Sequence, residues 1–175
     1  MNVTFIGLGK LGMPCAEAVA KKGHYVNGHD KIRKHSKYIT LWPNIPGALI
    51  GAEIVFISVA TPHHVDYDGS KPITHLPAKD FDYTQLKEAV IECNKHMNRK
   101  QKLIIISTVL PGVIREQIAP LVTNTNLIYN PYLIAMGTVA EDMLNPEMIM
   151  VGTENGDKDE QLEEFYKTII ENDCD

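Results

Sequence analysis

Short apolar runs of strand length alternate along this chain with longer stretches in which apolar residues recur at helical spacing. Asn2 to Ile6 reads as a first strand, Leu11 to Lys22 as an Ala-rich helix, and Tyr25 to Asp30 as a second strand. Glu53 to Val59 (Glu-Ile-Val-Phe-Ile-Ser-Val) and Lys102 to Ser107 (Lys-Leu-Ile-Ile-Ile-Ser) are nearly continuous in β-branched and aromatic residues, the mark of strands buried on both faces. Weaker strand signals fall at Asn126 to Tyr129 and Met148 to Val151, and helical periods at Tyr83 to Met97, Val113 to Leu121 and about Lys158 to Ile170. Prolines rule out a long regular element between Leu41 and Gly47, and Thr61 to Asp82 is a polar excursion punctuated by Pro62, Gly69, Pro72 and Pro77. Strands alternating with helices predict an α/β fold, a doubly wound parallel sheet with helices on both faces. Ligands of such sheets bind outside the carboxyl ends of the strands. The unusual polar motifs fall at those ends, after Ile6, Asp30, Val59 and Ser107 and following Tyr129.

The first of them is Gly7-Leu8-Gly9-Lys10-Leu11-Gly12, between the first strand and the first helix. A strand, a G-x-G-x-x-G turn, a helix and a distal acid together form a dinucleotide-binding fingerprint of the Rossmann type. Gly7 allows the tight turn, Gly9 lets the backbone approach a pyrophosphate, and Gly12 lets helix and strand pack closely. The pyrophosphate would sit at the helix N-terminus, where unpaired N–H groups and the dipole favour negative charge. Asp30, eighteen residues beyond Gly12, would accept hydrogen bonds from the adenosine ribose hydroxyls, which favours NAD over NADP. Lys31, Arg33 and Lys34 follow it and have the charge to meet a 2′-phosphate, although such a run is more often the solvated start of a helix.

At 175 residues, 44% of them hydrophobic, the chain suffices for one compact domain with a substantial core, expected to span residues 1–175. The formal net charge of −5, with no basic stripe, argues against nucleic acid or an anionic membrane surface as partner. No apolar run reaches membrane-spanning length and the chain opens directly on a core strand, so a cytoplasmic protein is expected. Cys15, Cys93 and Cys174 show no paired spacing. The first two fall in helices and read as small apolar side chains; Cys174, between two aspartates, would be a poor nucleophile. His63, His64, Asp66 and Asp68 share a loop, but adjacent histidines converge on one ion with difficulty, so no metal site is assigned. Glu141 and Asp142, adjacent on a helix, would point apart.

Five blocks in order carry a family resemblance. They are Gly7 to Gly12; Val59-Ala60-Thr61-Pro62 with Asp68-Gly69-Ser70; Ser107-Thr108-Val109-Leu110-Pro111-Gly112; Asn130-Pro131; and Gly137 to Pro146 (Gly-Thr-Val-Ala-Glu-Asp-Met-Leu-Asn-Pro). Together they resemble the NAD-binding domain of the UDP-glucose/GDP-mannose dehydrogenase family, whose members oxidise the C6 alcohol of a nucleotide sugar to a carboxylate with two NAD molecules and a cysteine-bound intermediate. The resemblance implies NAD as cofactor, a nucleotide sugar as substrate, and a cofactor site formed by Gly7, Gly9, Lys10, Leu11, Gly12, Asp30, Val59, Thr61 and Thr108. Thr108 would also be the catalytic residue, set between nicotinamide, substrate and a water, where a hydroxyl both donates and accepts. Each threonine would serve equally as a cap of the helix that follows.

The departures are informative as well. Where the family reads Glu-Phe-Leu-x-Glu-Gly after Asn-Pro, this chain has Tyr132 and Met136 at the glutamate positions, and Met148 where an arginine is usual. A phenol and a thioether do not shuttle protons near neutral pH. The region between Asp30 and Ile54 is far shorter than the family's, and the sequence has no counterpart of the Gly-Gly-x-Cys nucleophile segment, the central dimer-forming helix or the nucleotide-sugar domain. Three readings follow. The first is an NAD-binding domain of nucleotide-sugar dehydrogenase type. The second is a non-catalytic binding or regulatory module that pairs with another chain, and the third a minimal dehydrogenase of small alcohols. Homo-oligomerisation and a partner subunit are both compatible with the sequence.

Overall fold

A computed structural model of the chain describes residues 1–133, 135 and 137–173, so Met136 and Cys174 lie outside the described residues. Six parallel strands form the sheet: β1 (Asn2–Ile6), β2 (Tyr25–His29), β3 (Thr40–Leu41), β4 (Ile54–Ile57), β5 (Lys102–Ile105) and β6 (Asn126–Tyr129). Their order is β3-β2-β1-β4-β5-β6, the doubly wound order whose direction reverses between β1 and β4. Register follows directly, with Phe5 opposite Gly28 on one side and Phe56 on the other, and Phe56 opposite Ile104.

The period-2 alternation of a strand sends successive side chains to opposite faces, and the two faces build two cores. Val3, Phe5, Ile54, Phe56, Ile104 and Ile128 pack on one side against α1 (Gly12–Lys21), α4 (Val139–Leu144) and α5 (Glu160–Ile169). Val55, Ile57, Leu103 and Ile105 pack on the other against α2 (Ile45–Ala48) and α3 (Thr84–His96). Phe5 and Phe56 stack at the centre with ring centroids 4.9 Å apart. Among the described residues no helix is long and apolar enough to cross a membrane.

Three expectations from the sequence need correction. Met148 to Val151 is not a strand; the chain there makes one antiparallel bridge, Gly152 to Tyr129, against the edge strand. Val113 to Leu121 is helical but not a regular α-helix: Ile114–Ile118 winds with π pitch and Ala119–Leu121 tightens to a 3-10 turn, as expected where Pro120 removes a backbone donor. The basic residues after Asp30 do not open a helix, because residues 30–39 cross irregularly from β2 to β3. The proline-rich stretch near Trp42 holds no long regular element, as expected, only the short β3 and α2, the latter capped by Asn44 accepting from the Gly47 N–H at 2.8 Å.

Helix α5 is fixed to the sheet through Asp159. One carboxylate oxygen caps the helix by accepting from Leu162 N–H at 3.0 Å, and the other pairs with Lys102 Nζ of β5 at 2.6 Å, both side chains being largely buried. Asp159→Asn keeps a capping oxygen and loses the pair, whereas Asp159→Ala loses both. Urea denaturation is expected to find both variants destabilised, Asp159→Ala by about 1 kcal/mol more than Asp159→Asn.

Candidate functional site

The carboxyl ends of β1, β2, β4 and β5 bring the predicted residues to one edge of the sheet. Gly7 leaves β1 with φ of +92°, a conformation costly for any residue with a Cβ. It also lies against the end of β4, where a Cβ would stand 2.7 Å from Val59 N. Gly12, the first residue of α1, is tighter still, since a Cβ there would lie 2.0 Å from the Gly7 carbonyl oxygen and 2.3 Å from Ser58 Oγ. Ser58, 8% exposed, donates to that same carbonyl at 2.6 Å. Strand, turn, helix and neighbouring strand thus meet at backbone contact. Gly9 is the opposite case, because a Cβ there would meet nothing within 4 Å. It faces open space beside the first turn of α1, where Met13 N–H donates to the Gly9 carbonyl at 3.2 Å, Cys15 N–H to the Leu11 carbonyl at 3.3 Å, and Pro14 has no N–H.

Asp30 closes β2. Its Oδ2 accepts from Leu8 N–H and its Oδ1 from Ile32 N–H, each at 2.7 Å, and Lys34 Nζ stands 3.9 Å from Oδ2. A carboxylate offers about four acceptor directions, so two remain once these backbone bonds are made. They suffice for a vicinal pair of ribose hydroxyls. Lys31 turns away to Glu88 of α3 at 2.8 Å.

Beyond β4 and β5 two loops are laced together. Thr61 Oγ1 donates to the Thr108 carbonyl at 2.6 Å, and Ser107 Oγ to the Val59 carbonyl at 2.7 Å. Val59 is half-buried and the Thr108 side chain exposed. The structure therefore brings Val59, Thr61 and Thr108 to one place and Gly7, Gly9, Lys10, Leu11, Gly12 and Asp30 to its neighbour along the same edge. Sequence reading missed Ser58, the clamp on the glycine turn. Apolar runs through β4 and β5 each end on a serine, Ser58 and Ser107, whose hydroxyls cross to the neighbouring strand's loop, but nothing local in the sequence marks those distant partners.

The remaining chemistry lies elsewhere. Burial, and to a lesser degree the charge of Asp142, pushes the Cys15 thiol up to about 12; burial with Glu92 does the same to Cys93. Neither forms a thiolate near neutral pH. Tyr132 turns into the core, bonded to Met143 Sδ, and burial followed by the neighbouring Tyr166 raises its phenol far above the ordinary range. Asn130, 1% exposed, is structural: its amide donates to the Met150 carbonyl at 2.8 Å and its oxygen accepts from Tyr166. Glu141 bonds Asn145 at 3.0 Å, while Asp142 accepts from Ala135 N–H and Thr138 Oγ1 at 2.9 Å each, so the two acids diverge. His63 meets the His64 carbonyl and His64 meets Asp66, each at 3.1 Å. Among the described residues no three such ligands converge.

A parallel sheet of this order, a glycine turn sealed at backbone contact and an acid at the end of β2 define a dinucleotide-binding domain of the dehydrogenase class. Residues 35–170 match the profile of the UDP-glucose/GDP-mannose dehydrogenase family, NAD binding domain. The chain belongs to this family. UDP-glucose 6-dehydrogenase of Rickettsia prowazekii (strain Madrid E) is 30% identical over 187 residues, covering 98% of this chain and 43% of that protein. GDP-mannose 6-dehydrogenase of Pseudomonas aeruginosa is 23% identical over 97% of this chain and 44% of its own length. Among solved structures, the UDP-glucose dehydrogenase of Pyrobaculum islandicum superposes with a TM-score of 0.75 at 21% identity, over 99% of this chain and 44% of that one. The chain thus spans less than half the length of the relatives it matches. The family match begins beyond the glycine turn, so that turn is identified by its geometry and by relatives aligned over nearly the whole chain.

The contacts separate the glycines by function. Gly12→Ala is expected to cost about 2 kcal/mol or more, since backbone must move to admit the methyl group, while Gly9→Ala stays within about 0.5 kcal/mol of wild type. Thermal denaturation of the two variants side by side checks this.

Proposed function

We infer that this chain binds NAD along the carboxyl edge of its sheet, as the cofactor-binding portion of a nucleotide-sugar 6-dehydrogenase. The observation that carries the reading is the pairing of an open, side-chain-free approach at Gly9 with an Asp30 carboxylate whose orientation is set by Leu8 N–H of the same turn. In this reading the pyrophosphate lies on the backbone of Gly9, Lys10 and Leu11 at the start of α1. The adenosine ribose hydroxyls donate to Asp30, and Val59, Thr61 and Thr108 line the nicotinamide end. Bound NAD would supply a hydride acceptor. The chain's own residues bind and orient it, with the Thr108 hydroxyl able both to donate to and accept from a neighbouring substrate alcohol or water.

Tyr132 favours a second reading for the chain acting by itself. A phenol buried against Met143 and Tyr166 takes no proton from a substrate in the crevice, and the thiols of Cys15 and Cys93 are held protonated. The isolated chain would then hold cofactor without turning over, and a nucleotide-sugar substrate or partner subunit would complete the site. Formation of NADH from a nucleotide sugar by this chain alone would exclude that second reading.

Titration calorimetry tests the cofactor reading. NAD is expected to bind more tightly than NADP, whose 2′-phosphate would meet the Asp30 carboxylate. Asp30→Ala should weaken NAD about tenfold or more, the worth of hydrogen bonds to a charged acceptor. Equal affinity for the two dinucleotides, or indifference to Asp30→Ala, would contradict the placement of the ribose.

A further inference from the structure

The geometry points to Tyr83 as a positioning residue for the nicotinamide end of the crevice, one that acts by holding the turn that carries Thr108. The inference rests on the NAD reading above. Tyr83 ends the excursion after β4 and immediately precedes α3. Its side chain is 4% exposed, packs edge-on against Phe81 with ring centroids 6.3 Å apart, and belongs to the same core as Leu86, Ile105 and Val113. Packing alone would ask no more than a phenylalanine.

The phenolic oxygen does something a phenylalanine cannot. It accepts from the Leu110 N–H at 3.1 Å and donates its own proton to Asp80 Oδ1 at 2.5 Å. Burial, and after it the bond to Asp80, raises this phenol above its ordinary value, so it remains a donor and an acceptor across neutral pH. Leu110 lies two residues past Thr108 in the turn after β5, and the Thr108 carbonyl is itself held by Thr61 at 2.6 Å. The turn is therefore gripped at residue 108 from the loop after β4 and at residue 110 from the head of α3. The excursion between those two grips is closed at its base, where Asp82 N–H donates to the Pro62 carbonyl at 2.9 Å. Tyr83 thus couples the return of the excursion to the orientation of Thr108.

Without the phenolic oxygen Leu110 is released, and ordering Thr108 against a ligand then costs affinity that is otherwise spent in folding. The bonds that orient Asp30 and the glycine turn run through Leu8, Ile32, His29 and Ser58, none of which touches Tyr83 through a hydrogen bond. A ligand lacking the nicotinamide should be indifferent to the change. A merely structural tyrosine would instead affect every ligand of the crevice alike, or none.

The test compares NAD with ADP-ribose, which keeps the adenosine and pyrophosphate but carries no nicotinamide, on wild type, Tyr83→Phe and Asp80→Asn by calorimetry. Tyr83→Phe is expected to weaken NAD about fivefold, the loss of one neutral hydrogen bond, with ADP-ribose changed less than about twofold. Asp80→Asn, which retains an acceptor for the phenol, should preserve the wild-type ratio. In the unliganded protein, the Leu110 amide should exchange faster in Tyr83→Phe than in wild type. An unchanged NAD to ADP-ribose ratio in Tyr83→Phe, or equal weakening of both ligands, overturns the role of Tyr83 and leaves the cofactor reading standing. Failure of the wild-type chain to bind either ligand would remove the cofactor reading and this role with it.

Discussion

Gly12 approaches the Gly7 carbonyl so closely that a single added carbon would lie 2.0 Å from its oxygen, and Ser58 holds that carbonyl from the other side at 2.6 Å. Three backbone segments meet at this point: the exit of β1, the first turn of α1 and the end of β4. Their contact decides where the N-terminus of α1 points, and with it the direction of the helix dipole. Leu8, between the first two glycines, reaches from the same turn to Asp30 with its N–H and into the core with its side chain, which is 2% exposed. The crevice is in this sense a product of one close contact. The central strands can pack as they do, Phe5 on Phe56, because helix α1 sits directly on them.

Much of this was legible in the sequence, for reasons that differ by element. The strands β1, β4 and β5 are nearly continuous apolar runs because parallel strands are buried on both faces, and they were readable almost to the residue. Helix α3 was equally plain from its period. The elements that escaped are those decided by tertiary contact: β3 is two residues long and α2 four, with Gly47 fitting against the Trp42 ring where a Cβ would stand 2.6 Å away. The apolar run Met148 to Val151 has the composition of a strand, yet only one bridge forms beside it, and the amide of Asn130 takes the Met150 carbonyl instead.

The placement of the glycines, Asp30 and the two threonines at one sheet edge was readable because each follows a recognisable strand. Ser58 and Tyr83 were not, because both act on backbone far away in sequence, at Gly7 and Leu110. A hydroxyl at the end of an apolar strand or at the head of a helix carries no local mark of its distant partner. The substitutions at the family's acidic positions carry a complementary message. Tyr132, in the loop after β6, is partly buried and packs against the core, its hydroxyl bonded to Met143. The carboxyl edge holds its close backbone contacts, and Tyr132 beside it serves packing.

The central claim is that the carboxyl edge formed by the glycine turn, the end of β2 and the laced loops after β4 and β5 is one continuous dinucleotide site. Amide chemical-shift mapping during a titration with NAD addresses it most directly. The account predicts that the perturbed amides cluster at Leu8 to Gly12, at Asp30 to Ile32 and at Val59 to Thr61 with Thr108 to Leu110, all titrating with a single affinity. Perturbations confined to other surfaces, or two separate affinities for the glycine turn and the Thr108 loop, would contradict it.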